Sequence, residues 1–110
     1  MSEAQIQANI VKYLRSIGYF CYSTPNEQTS KNPVHTGQLV AMGLYPGMAD
    51  LTVWLGNGKI AYLEVKTDKG QQSDRQRHFQ EKCTVAGYFY AVVRSVEDVK
   101  NIVESWKNWH

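Results

Sequence analysis

The sequence predicts an α/β domain with a mixed sheet of about four strands and helices packed on it, in the order α, β, long loop, β, β, α, β, α. Three observations predict it. Apolar residues recur at helical spacing in three separate stretches, each opened by a serine. Two alternating apolar stretches are separated by Gly56-Asn57-Gly58, a strong hairpin signal. A strand, a helix and another strand then follow in sequence, which makes the last strand parallel to the one before the helix.

The first helix starts at Ser2, which with Gln5 forms a capping-box pattern, and runs from about 3 to 17 on the stripe Ile6, Ile10, Leu14 and Ile17 before Gly18. YFCYS at 19–23 is aromatic-rich and ends at Pro25, so it reads as a short strand. Residues 25–48 are polar and rich in Gly and Pro, which predicts a long connection with at most a short helix around QLVAMG. ADLTVWL and KIAYLEV are the hairpin strands. Ser73 and Gln76 repeat the capping box and open a helix to about 86, with Phe79, Cys83 and Ala86 on one face and Gly87 as its stop. YFYAVV at 88–93 reads as a buried strand, and Ser95 caps a last helix carrying Val96, Val99, Ile102, Val103 and Trp106.

Composition narrows the class. A chain of 110 residues fits a single domain, here 1–110, and its 43% apolar and 20% charged residues are those of a folded globular protein. A net charge of +2 permits nucleic-acid binding without the polybasic signature that would demand it. Cys21 and Cys83 share no disulfide or zinc spacing and read as free thiols. With no leader-like N-terminus and no apolar run long enough to span a bilayer, a soluble cytoplasmic protein without membrane partners is expected.

The chemistry lies in the hairpin. Strand alternation puts Glu64 and Lys66 on one face and Ala61, Leu63 and Val65 on the other. A plain two-residue Asn57-Gly58 loop would turn Asp50 away from Glu64. A three-residue loop with Gly58 in a bulge, or an equivalent bulge in either strand, pairs them on one face. Two carboxylates that close repel each other, a cost that a divalent cation removes, and magnesium suits an all-oxygen set of Asp50, Glu64 and the Val65 carbonyl. Lys66 is then placed to orient or help deprotonate a water. Glu3 falls on the apolar stripe of the first helix and Gln76 on that of the helix opened by Ser73, each at a helix N-terminus able to reach the sheet.

Taken singly, each feature has an ordinary reading: E-x-K as a surface pair, Glu3 as a first-turn acid, Gln76 as a cap. His35, His78 and His110 share no ligand spacing, and Trp54, Trp106 and Trp109 read first as packing or interface residues. The combination is the informative part.

In PNEQ (25–28), GLYPGMADLTVW (43–54), YLEVKTDKGQQSDRQ (62–76) and AGYFYAVVRSVEDV (86–99), the chain resembles the VRR-NUC domain family of the PD-(D/E)xK nuclease superfamily, in particular its small stand-alone bacteriophage-type members. The resemblance covers nearly the whole chain and implies a restriction-endonuclease-like core. It matches Asp50 to the PD element, Glu64 and Lys66 to the (D/E)xK element, Glu3 to the acid of the first helix and Gln76 to the Gln that opens the later helix. Ala49 stands where the family has proline, which supplies no ligand. The resemblance implies a deoxyribonuclease dependent on Mg2+, with Mn2+ as substitute, acting as a homodimer on branched DNA such as four-way (Holliday) junctions in a bacterial host cell. Glu3 would act through water or on a second metal. Lys69, Arg75, Arg77 and Lys82 are expected at the DNA backbone. The competing expectation from another class is a non-catalytic module that binds DNA junctions or a partner; an RNA-directed nuclease is a third.

Overall fold

A computed structural model of the chain describes residues 1–24 and 33–108. PNEQ at 25–28, Trp109 and His110 lie outside them. The elements are α1 (Glu3–Ser16), β1 (Phe20–Ser23), α2 (Pro33–Ala41), β2 (Leu51–Gly56), β3 (Lys59–Val65), α3 (Asp74–Ala86), β4 (Phe89–Val93) and α4 (Val96–Lys107). The strands form one sheet in the order β1-β2-β3-β4. The first two pairings are antiparallel, and β3 runs parallel to β4, as the strand–helix–strand order requires.

One face of the sheet carries the main core. Cys21, Leu51, Val53, Ala61, Leu63, Val65 and Val93 pack against Ile6, Ile10 and Leu14 of α1 and Val99, Val103 and Trp106 of α4. Trp106 is held edge-on by Tyr19 and Phe89, with ring centroids 5.4 and 5.7 Å away. This is the packing role expected of it. The opposite face meets α3, where Cys83 is buried and Phe79 contacts the rings of Tyr45, Tyr62 and Tyr90. Cys21 and Cys83 are both free and buried, and burial pushes both thiols up, away from the reactive thiolate.

Both predicted capping boxes are present at α1 and α3: the side chains of Ser2 and Ser73 accept from the backbone N–H of the glutamine three residues on, and their own backbone N–H groups donate to that glutamine's side-chain oxygen. Several boundaries and burial assignments differ from the sequence reading. The first helix stops at Ser16, and Ile17 is exposed as its C-cap. The loop helix is longer than expected and starts at Pro33, a residue whose fixed φ and missing N–H suit a first helical turn. Of the YFYAVV stretch only Val93 is fully buried, because β4 is an edge strand. Ala86 is exposed rather than part of the covered face of α3.

Candidate active site

The hairpin decides whether the acids meet. Leu51 faces Leu63 and Trp54 faces Ile60, after which the register slips so that Gly56 faces Lys59. The turn itself is the two-residue Asn57-Gly58, with φ of 54° and 75°, both positive as a type I′ turn requires. Of the two expected forms, the three-residue loop is absent and the bulge in a strand is present. The bulge sits instead at the end of β2, at Leu55 and Gly56, where the φ of 90° at Gly56 is one a side chain would resist. The effect on register is the expected one: the next position before Leu51 is Asp50, and the next after Leu63 is Glu64, so the two lie opposite each other.

Asp50 sits just ahead of β2 and is fixed there twice. Its Oδ2 accepts from the Val65 N–H at 2.8 Å, and its carbonyl accepts from the Thr24 N–H at 3.0 Å. Glu64 is 1% exposed, an unusual place for a carboxylate. Its Oε1 accepts from Gln76 Nε2 at 3.0 Å, while its Oε2 has no protein partner among the described residues. Burial first, then the neighbouring Asp50 carboxyl and its charge, push Glu64 up to about 9 against the relief from Lys66.

Gln76 serves two ends at once. Its Oε1 accepts from the Ser73 N–H at 2.9 Å in the capping box, which leaves Nε2 to donate to Glu64. Cap and site contact are one side chain, not alternatives. Lys66 is half-buried beside them, and its backbone N–H donates to the Val93 carbonyl at 3.0 Å.

Glu3 is exposed, which corrects the expectation that its carboxylate begins the buried face. The Glu3 charge still reaches Glu64 and helps to raise it. Lys69, Arg75, Arg77 and Lys82 are all exposed around the start and outer side of α3, and Arg77 engages Asp74 at 2.9 Å. None of the four is drawn into the acid pair.

Several residues that build the site carried little signal in the sequence. Gly47 has φ of 94°, and a Cβ there would lie 2.6 Å from the Arg75 backbone carbon. The chain leading to Asp50 is thus docked on the first turn of α3, next to Gln76. Arg94 Nη1 donates to the carbonyls of Thr67, Asp68 and Gly70, and so ties down the loop after Lys66. A Cβ on Gly70 would lie 3.4 Å from Lys66 Cβ and Cδ, so this loop also lines the lysine stem. Tyr90, beside Tyr62 in register, receives a hydrogen bond from Gln72 Nε2 at 3.1 Å, and burial and the Glu64 charge raise its hydroxyl. A cleft of about 610 Å³ between the start of α1, residues 67–69 and residues 94–96 contains neither acid, and is not the site of this chemistry.

A hard divalent cation fits the acid pair. Among the described residues no three His, Cys, Asp or Glu side chains cluster at ligand spacing, so side-chain ligation rests on Asp50 and Glu64. Both offer oxygen only, Glu64 Oε2 is buried without a protein partner among the described residues, and the burial and the neighbouring Asp50 charge that raise Glu64 are costs a cation would relieve.

Comparison with known proteins bears on the fold and the family. A solved VRR_NUC domain protein matches with a TM-score of 0.78 at 15% identity, over 96% of this chain and 88% of that one. A second solved structure, a VRR_NUC domain, matches with a TM-score of 0.67 at 21% identity, over 94% and 97% of the two chains. At such identities the likeness establishes the fold. No match is found among curated proteins. The profile of the VRR-NUC domain matches residues 1–97, nearly the whole length, and with the shared fold it places the chain in the VRR-NUC domain family of nuclease-like domains.

Proposed function

We propose that this protein is a divalent-metal-dependent, structure-selective DNA endonuclease that hydrolyses phosphodiesters in branched DNA such as four-way junctions. The observation that carries the reading is the state of Glu64: buried, opposite Asp50, one oxygen oriented by Gln76 at 3.0 Å and the other without a protein partner among the described residues. Such a group is costly to a structural core and useful to a cation.

Magnesium, or manganese in its place, would be held by Asp50, Glu64 and the Val65 carbonyl, with Glu3 acting through water or on a second ion. When bound it supplies positive charge to the phosphate as negative charge develops. The protein groups do the rest. Gln76 keeps the Glu64 carboxylate in one orientation, Lys66 orients the attacking water, and the Val65 N–H holds Asp50. Hydrolysis forms one phosphorus–oxygen bond from that water and breaks another to the departing strand end. Lys69, Arg75, Arg77 and Lys82 would meet phosphates without reading bases, so DNA shape rather than sequence selects the substrate. Two symmetric cuts in a junction call for a two-fold homodimer. Among the described residues no helix is long and apolar enough to cross a membrane, and action in the cytoplasm of a bacterial host fits such a substrate.

The test is cleavage of a labelled panel of four-way junction, flap, splayed duplex, linear duplex and single strand, with magnesium or manganese. Paired symmetric nicks in the junction, lost in Glu64→Ala and Lys66→Ala, are expected. Junction binding by all three proteins with no cleavage anywhere would replace the enzyme by a binding module on a nuclease-like fold.

A further inference from the structure

The sheet face that holds the acid pair is not fully covered. From Asp50, Thr52 and Trp54 follow at two-residue steps on the same face, and the register sets Tyr22 opposite Thr52 and Phe20 opposite Trp54. Phe20, Tyr22 and Trp54 are 56%, 41% and 53% exposed. Their rings touch but are tilted, with centroids 4.6 Å apart for Phe20 and Trp54 and 5.8 Å for Phe20 and Tyr22, which leaves ring surface open to a third partner.

We infer that Phe20, Tyr22 and Trp54 form a stacking platform for unpaired DNA bases leading into the Asp50–Glu64 site. The identity of the strand as DNA rests on the nuclease reading above; the platform itself rests on register and exposure. Four residues of strand separate Asp50 from Trp54, about 13 Å at about 3.3 Å each. A stacked strand rises about 3.4 Å per base, so the platform lies some three or four bases from the cleaved phosphate. Aromatic rings accept any base on their faces, the sequence-tolerant contact that a shape-selecting nuclease needs.

A second copy of the chain is the other conceivable occupant, and the area argues against it. Three aromatic side chains of about 150–250 Å² each, roughly half exposed, offer on the order of 300 Å². A stable protein interface takes about 800 Å² from each partner. The patch is too small to hold a dimer and the right size for a few bases.

The experiment is fluorescence anisotropy with the full chain in chelator, using a splayed duplex with an unpaired arm, the same substrate with abasic sites in that arm, and fully paired duplex. Phe20→Ala and Trp54→Ala are expected to weaken binding of the unpaired arm by about tenfold each, with Trp54→Phe close to wild type. Binding to abasic arm and paired duplex should be unchanged. Because the readout needs neither cleavage nor metal, failure of the platform and failure of the nuclease reading give different results. Equal weakening on all three substrates, or no weakening on any, would overturn the inference, as would a shift of both variants from dimer to monomer in sedimentation.

Discussion

The burial of Glu64 makes protein stability a reporter of the site before any nucleic acid is added. Its carboxyl is pushed up to about 9 from the ordinary 4.5, so the folded state prefers the protonated form. The sign follows from linkage. The stabilising proton is fully in place below the unfolded value and is lost as pH rises through the folded one, so metal-free protein weakens between about pH 4.5 and 9. Across three pH units, from 5 to 8, each worth about 1.4 kcal/mol, the loss is about 4 kcal/mol. Against a typical total of about 5–15 kcal/mol that is a large fraction.

Urea unfolding of the protein in chelator at pH 5, 6, 7 and 8 would read it as a falling midpoint at constant slope. Glu64→Gln carries the uncharged shape permanently and should remove most of the fall. Excess magnesium at pH 8 should restore the wild type but not the variant. A wild-type midpoint that stays level across this range, or a variant that falls as steeply, would refute the account of a buried acid awaiting a cation.

Two further substitutions test how the site is held. Gly47→Ala should cost about 3 kcal/mol in urea unfolding, combining about 1–2 for a side chain at positive φ with about 1–3 for overlap against the Arg75 backbone; a loss below about 1 would show that the docking of this segment on α3 is not tight. Arg94→Ala should cost about 2 kcal/mol by leaving the carbonyls of Thr67, Asp68 and Gly70 without their charged donor. Hydrogen exchange should accelerate at the Gly70 amide, which donates to Thr67, while the Ile10 amide in α1 stays protected. Unchanged exchange at Gly70 would remove Arg94 from its positioning role.

What the sequence made legible was local. Ser2 with Gln5 and Ser73 with Gln76 announced two helix starts, and the stripe of Ile6, Ile10 and Leu14 named the buried side of the first. Alternation put Glu64 opposite in face to Leu63 and Val65, and the need to pair it with Asp50 correctly required a bulge. The position of that bulge was not legible, since Gly56 and Gly58 are each able to take positive φ and only the pairing of Gly56 with Lys59 distinguishes them. Glu3 misled because a helical wheel has no ends: the stripe continues through it, but burial on that stripe begins only at Ile6. Gly47, Arg94 and Tyr90 act through contacts with Arg75, residues 67–70 and Gln72, and no spacing along the chain encodes those distances.

Gln76 shows why such a site can be built in so small a domain. In a capping box the glutamine needs only its carbonyl oxygen, which here accepts from Ser73, so the amide nitrogen is free at no further cost in side-chain ordering. The same rotamer that starts α3 therefore aims a donor at Glu64, and the docking of Gly47 on Arg75 brings the segment carrying Asp50 to that same helix turn. Helix nucleation, loop docking and carboxylate orientation converge on one turn. A substitution at Gln76 consequently disturbs folding and chemistry together, and Gln76→Glu separates them: its carboxylate can still cap through Ser73, yet it sets a third negative charge against the acid pair. That variant should keep α3 intact by circular dichroism while raising Glu64 further and losing metal-dependent cleavage, and retained cleavage would show that the amide's donation to Glu64 is dispensable.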